Sequence, residues 1–208
     1  MKCSICRQRI FHLRGLNIGL CSYCIRGLDP IVYSKHIAVE DASYYKSTIL
    51  FRYDKTAKDL IQLFKFRRET VQARTIASLI LESLNINNHP DVIVPVPSHA
   101  IDEIKRGFAH MAYIASILSK HTEIPFDMVL ARKLFPIFKR AQKHKGKKQR
   151  IANKNRFYLR RDSSVTNKNI LLIDDVMTTG STIDECAKVL LDNGAKRVEA
   201  ICFALTPM

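Results

Sequence analysis

The chain lacks any run of about eighteen uncharged apolar residues, the length needed to cross a bilayer as a helix, so no membrane insertion of that kind is expected. Its first residues, Met1-Lys2-Cys3-Ser4-Ile5-Cys6-Arg7, begin basic but have neither the apolar stretch nor the small-residue cleavage site of a secretory signal. The expected address is cytoplasmic. Acidic residues are scarce: 19 Asp and Glu face 34 Lys and Arg, a formal charge of +15 that favours anionic partners such as nucleic acid, phosphorylated small molecules or an acidic membrane surface. From Arg132 to Arg161 the scarcity is complete, with thirteen basic residues in thirty positions and no carboxylate. Two further absences narrow the nucleotide chemistry. Neither a Walker A pattern nor the glycine pattern of a dinucleotide-binding turn occurs.

What is present first is cysteine. Cys3-x-x-Cys6 and Cys21-x-x-Cys24 are separated by fourteen residues, enough for a hairpin that brings two tight turns together. Four thiolates around a structural Zn²⁺ is the expected arrangement, with no open position for catalysis. Two disulfides or redox thiols are the alternatives; a cytoplasmic chain disfavours the first, and no strand precedes either pair to suggest the second. Cys186 and Cys202 lie in apolar periodic surroundings and are expected in the core.

At 208 residues the chain can hold one well-cored α/β domain with a small appendage. The expected division is a zinc-binding module over residues 1–30 and the main domain over 31–208. After a linker containing Pro30, strand character is read at Ser47 to Tyr53, helices at Thr56 to Phe66 and Val71 to Leu84, and a buried strand at Asp91 to Pro97. A helix over Gly107 to Lys120, a second buried strand over Asn169 to Asp174, a helix over Ser181 to Asn193 and a last strand over Arg197 to Leu205 follow. Alternation of this kind predicts a parallel sheet flanked by crossover helices.

Chemistry is expected where the strand over Ile170 to Ile173 ends, because ligands of open α/β sheets collect beyond the carboxyl ends of strands. Asp174 and Asp175 are natural acceptors for the two vicinal hydroxyls of a ribose. Being at a strand end, both are expected to be removable without loss of the fold. Val176 and Met177 lead into Thr178, Thr179, Gly180, Ser181 and Thr182, which offer consecutive amides, hydroxyls and a helix start suited to a phosphate dianion. A strand ending in an Asp-Asp turn before an ordinary capped helix is the alternative for the loop by itself.

The thirteen-residue run Ile170 to Thr182 resembles the signature for phosphoribosyl pyrophosphate (PRPP) in type I phosphoribosyltransferases. With the four cysteines, Tyr53, Lys65, Val94-Pro-Val-Pro97, Arg106-Gly-Phe108 and Gln142…Arg150-x-x-Asn153-x-x-x-Phe157, nearly the whole chain resembles the ComF family. That resemblance implies a type I phosphoribosyltransferase-like fold and a role in natural competence, handling incoming single-stranded DNA in the cytoplasm, with other DNA-uptake proteins as partners. It also implies that PRPP binds with Mg²⁺: Asp174 and Asp175 on the ribose hydroxyls, the Thr178 to Thr182 loop on the 5′-phosphate, and Ser98, His99, Arg106 and Lys65 on the pyrophosphate. Ala109 and His110 stand where Asn-Gln is usual in the family, and Lys145 and Gln149 where Leu and Glu are usual.

The basic stretch occupies the position of a flexible loop, about 132–157, that closes over PRPP. Its charge exceeds what a pyrophosphate needs, so Lys139, Arg140, Lys143, Lys145, Lys147, Lys148 and Arg150 are expected on a DNA backbone. A solvated mobile loop is the alternative, and Phe157 and Tyr158 are expected to be core anchors at the start of a strand. Histidines other than His99 are expected at the surface. Three functions stand against one another: a PRPP-binding competence protein gripping DNA, a true transferase moving ribose-5-phosphate onto an amine or base, and a zinc-dependent nucleic-acid adaptor with a vestigial site. As the chain ends three residues after the last strand, an acceptor pocket is expected from the N-terminal third.

Overall fold

A computed structural model describes residues 2–10, 19–38, 44–67, 70–84, 90–133 and 156–206. In chain order the elements are α1 (Ser22–Arg26), β1 (Pro30–Ala38), β2 (Tyr44–Arg52), α2 (Lys55–Arg67), α3 (Thr70–Ser83), β3 (Val92–Pro95), α4 (Ala100–Arg106), α5 (His110–Thr122), β4 (Leu130–Arg132), β5 (Phe157–Leu159), β6 (Asn169–Met177), α6 (Ser181–Asp192) and β7 (Arg197–Leu205).

Five strands form one sheet in the order β1-β2-β7-β6-β3. β2, β7, β6 and β3 run parallel, and β1 is antiparallel at the edge. The sheet is therefore mixed, and the linker expected around Pro30 is instead its edge strand. Proline is tolerated there because the first residue of an edge strand owes the ladder no N–H. The central strands are buried on both faces, which is why β3 and the first half of β6 read as unbroken apolar runs.

Leu171 and Ile173 of β6 pack on one side under Leu60 and Phe64 of α2, Ile76 and Ile80 of α3, and Ile114 and Leu118 of α5. Ile170 and Leu172 pack on the other under Ile183, Cys186 and Leu190 of α6, with Leu130 of β4 and Phe157 of β5 alongside. Cys186 and Cys202 are fully buried as read from the sequence, and burial pushes both thiols well up.

Cys3, Leu20, Cys24 and Leu28 belong to the same apolar cluster as α2 and α3, so the cysteine module is seated on the main body. Gly19 makes that seat: a Cβ there would lie 2.2 Å from Val71 Cγ1, and its N–H donates to Thr75 Oγ1 at 3.2 Å. The helix expected from Gly107 starts at His110, because Gly107 at φ 74° ends a separate helix, α4, by donating its N–H to the Glu103 carbonyl. Among the described residues no helix is long and apolar enough to cross a membrane.

Candidate functional site

Side chains alternate along a strand, so Asp174 and Asp175 leave β6 toward opposite faces. Asp175 turns inward and is 6% exposed. Its Oδ2 meets Lys65 Nζ at 2.5 Å and His110 Nε2 at 2.7 Å. The other nitrogen of that ring, Nδ1, lies 3.2 Å from Ser98 Oγ in the turn after β3. A continuous polar chain thus runs from Ser98 through His110 and Asp175 to Lys65, walled by Phe64, whose ring centroid lies 6.1 Å from that of His110. Burial alone would raise the Asp175 carboxyl, but the hydrogen bond to His110 and the charge of Lys65 hold it below the usual carboxylate range.

Asp174 has the opposite surroundings. It is half-buried, and its Oδ1 accepts the Asp175 N–H at 2.9 Å. Burial, and after it the neighbouring Asp175 charge, push its carboxyl up to about 8. Val176 is half-buried and Met177 buried, and beyond them Thr178, Thr179 and Ser181 are exposed and Thr182 half-buried. Gly180 precedes α6 at φ 82° with no side chain capping the helix start. A Cβ at Gly180 would find its nearest neighbours at 3.7 and 3.8 Å, so it is the left-handed backbone, and not lack of room, that calls for glycine. The Ser181 N–H donates to the Thr179 hydroxyl at a long 3.5 Å, and the twelve-residue α6 starts just beyond the strand that carries the half-buried Asp174 carboxylate.

Of the four residues expected around pyrophosphate, Ser98 and Lys65 are joined through Asp175 and His110. His99 is exposed and precedes α4 without capping it. Arg106, at the far end of α4, donates from Nε to the Asp102 carbonyl at 3.0 Å. Lys139, Arg140, Lys143, Lys145, Lys147, Lys148 and Arg150 lie outside the described residues.

The ends of the basic stretch are described. β4 and β5 pair antiparallel, and Arg156 binds Glu185 of α6 at 2.8 Å while its guanidinium lies 5.5 Å from the Phe157 ring centroid. Arg132 lies over the other part of that ring at 5.3 Å. Among the described residues its buried Nε has no hydrogen-bond partner, and its charge bears on Asp174.

In the N-terminal module the four Sγ atoms of Cys3, Cys6, Cys21 and Cys24 lie within 4.8 Å of one another, with Cys6 and Cys21 at 3.5 Å. That spacing is far longer than a disulfide and close to the roughly 3.8 Å edge of a zinc tetrathiolate with about 2.3 Å bonds. Burial would raise Cys3, yet backbone N–H groups of Cys6, Cys21 and Ile5 bring its thiol down to about 6. Burial pushes Cys24 the other way. Four sulfurs this close could hold a metal, and a cation would let all four shed their protons together.

Residues 62–207 match the model of the phosphoribosyl transferase domain. The chain belongs to that family. Relatives extend the likeness to the cysteine module: competence protein F of Haemophilus influenzae is 28% identical, covering 92% of this chain and 94% of its own length. The DNA utilization protein YhgH of Salmonella typhimurium is 26% identical over 98% and 90%. Competence protein ComFC of Bacillus subtilis is 25% identical over 92% and 78%. The phosphoribosyl transferase domain of this chain therefore keeps company with proteins of competence and DNA utilization.

Within that domain, three side chains near the β6 end carry charge or proton-exchanging groups for which no role in the site was expected from the sequence. His110, expected at the surface, is 4% exposed and grips Asp175. No local signal marks it, since its partner is 65 residues away. Arg132 and Arg156 disappear into the bulk of the basic stretch, although their places at its two ends, beside apolar strand residues, set them apart.

Proposed function

We propose that this chain binds PRPP with Mg²⁺ at the carboxyl end of β6 and handles single-stranded DNA in the cytoplasm during competence. The observation that carries the reading is the left-handed Gly180 at the start of α6, in the loop that follows the strand bearing the half-buried Asp174. The amides of Gly180, Ser181 and Thr182 take the 5′-phosphate and Thr178 and Thr179 add hydroxyls. Asp174 accepts from the ribose hydroxyls and, ionised, is the donor for Mg²⁺, whose charge would stabilise departing pyrophosphate. Arg132 offers a guanidinium N–H that has no partner among the described residues, and Ser98 offers a hydroxyl already oriented by His110. Asp175 acts one step back by fixing His110 and Lys65. Cys3, Cys6, Cys21 and Cys24 hold a structural Zn²⁺. The stretch with Lys139, Arg140, Lys143, Lys145, Lys147, Lys148 and Arg150 follows the DNA backbone. Other DNA-uptake proteins are its partners.

One pair of measurements tests this. PRPP with Mg²⁺ at a hundredfold excess over its Kd stabilises a protein by about 2.7 kcal/mol; that gain should vanish in Asp174→Asn, which keeps the fold, and its persistence would remove the site. DNA affinity should fall with salt at a log–log slope of roughly −0.7 per phosphate contacted. Replacing Lys143, Lys145, Lys147 and Lys148 by alanine should flatten the slope by about two units and leave PRPP binding unchanged; an unaltered slope makes the stretch a lid only.

A further inference from the structure

A groove of about 340 Å³ runs between the first cysteine pair and the outer face of α2, lined by Ile5, Arg7, Asp59, Gln62, Leu63 and Phe66. Its size falls within the range of small-ligand sites. Asp59, Gln62, Leu63 and Phe66 recur at helical spacing and form one stripe of α2. Lys65 lies off that stripe and turns to Asp175. The groove and the β6 end are thus served by different residues of the same helix. Phe66 is 73% exposed, an unusual position for a phenylalanine on a helix whose Leu60, Ile61 and Phe64 are buried. Across from it stands Arg7, held by a left-handed backbone at φ 63° in the turn that follows Cys6.

We infer that this groove is a nucleobase-stacking site through which the cysteine module and α2 together grip a single-stranded nucleic acid. Phe66 presents a ring face for a base, and the apolar Ile5 and Leu63 line the groove beside it. Asp59 and Gln62 offer an acceptor and an amide for a base edge. A carboxylate inside the groove repels a phosphate, so the base enters and its backbone stays outside. The outside suits it: Arg7 lines the groove, Lys2 and Arg9 of the same module are exposed, and residues 1–28 hold five basic side chains and no acidic one. A basic module beside a partly apolar interior that holds one carboxylate complements a strand of nucleic acid better than an acidic peptide, whose side chains would meet Asp59.

The proposal rests on the single-strand reading above, and the chain supplies the means to separate the two, because it contains no tryptophan. Phe66→Trp places a lone fluorophore in the groove without disturbing a buried contact. A ten-residue thymidine oligonucleotide should quench its emission saturably, and an abasic oligonucleotide with the same number of phosphates should not. Phe66→Ala should weaken binding of the labelled thymidine strand about tenfold or more, with PRPP-induced stabilisation equal to that of the parent. Binding of that strand to the Phe66→Trp protein, followed by fluorescence anisotropy, with unchanged tryptophan emission overturns the groove while leaving the DNA reading intact. So does equal quenching by the abasic strand or by an acidic peptide. Should anisotropy detect no DNA binding even at low salt, the DNA reading fails. Quenching by millimolar adenosine monophosphate then decides whether the groove takes a base at all, and its absence overturns the groove as well.

Discussion

The two sides of the sheet at the end of β6 differ in how firmly they are held. On the side of Asp175, α2, α3, α5 and the cysteine module form one apolar cluster, and the carboxylate is closed in by Lys65 and His110. On the side of Asp174, α6 and the β4–β5 pair leave the carboxylate half-buried, with an open helix start beside it. Two adjacent residues of one strand thus serve opposite ends: one ties elements together, the other stays available. The lesson is that a pair of acids in sequence need not be a pair in function, since the strand period of two separates them before any ligand arrives.

The largest effect on this contrast should come from Cys24→Ser. Purified parent protein should contain about one zinc per chain, and the variant none, with a large loss of stability because binding at a structural site is folding energy. Hydrogen exchange should quicken first in α3, against which Gly19 is seated, and last in α6. A parent without zinc, prepared without chelators, refutes the metal.

Next in size is Asp175→Ala. It strands Lys65 and His110 without their shared partner, and loss of one member of a buried pair costs about 3 kcal/mol, or roughly 6–12 °C in Tm. Asp174→Asn should leave stability at neutral pH equal to or above that of the parent, because it removes a carboxyl that burial raises to about 8. Equal losses in the two variants, measured by urea unfolding, would erase the distinction between the faces.

The same contrast has a signature in pH. A carboxyl raised to about 8 in the folded chain binds its proton more tightly there than when unfolded, where 3.8 is the ordinary value. Stability from Asp174 is therefore greatest below pH 4 and declines as pH rises toward 8. Asp175, held low, contributes above the ordinary carboxylate range and loses that contribution in acid. Asp174→Asn should flatten the decline between pH 5 and 8 alone, and a parallel profile for parent and variant would show that Asp174 ionises normally.

Much of the frame was legible because buried parallel strands leave unbroken apolar runs: Val92 to Pro95 and Ile170 to Ile173 could hardly be anything else. β1 escaped because Pro30, at its start, reads as part of a linker and the apolar Ile31-Val-Tyr33 gives way at once to the polar Ser34-Lys-His36. The Thr178 to Thr182 loop was readable from local chemistry. Both aspartates were expected to be removable without loss of the fold; the burial of Asp175 between Lys65 and His110 makes its removal the costlier of the two, a difference that the alternation of the strand already held. His110 was beyond reach, since nothing near it in the chain announces a contact with Asp175. The cysteine spacing announced a cluster, but its seat on α3 depends on the missing side chain of Gly19 meeting Val71.

One imidazole, that of His110, joins the turn after β3 to the end of β6. Its two nitrogens cannot be set independently: ionised Asp175 can only accept, so Nε2–H donates to it and, in the neutral ring, Nδ1 is left as the acceptor for the Ser98 hydroxyl. Whatever draws Ser98 away therefore alters the hold on Asp175, and by the reciprocity of linked equilibria whatever alters Asp175 is returned to Ser98 in equal measure. Two loops far apart in the chain answer as a single element.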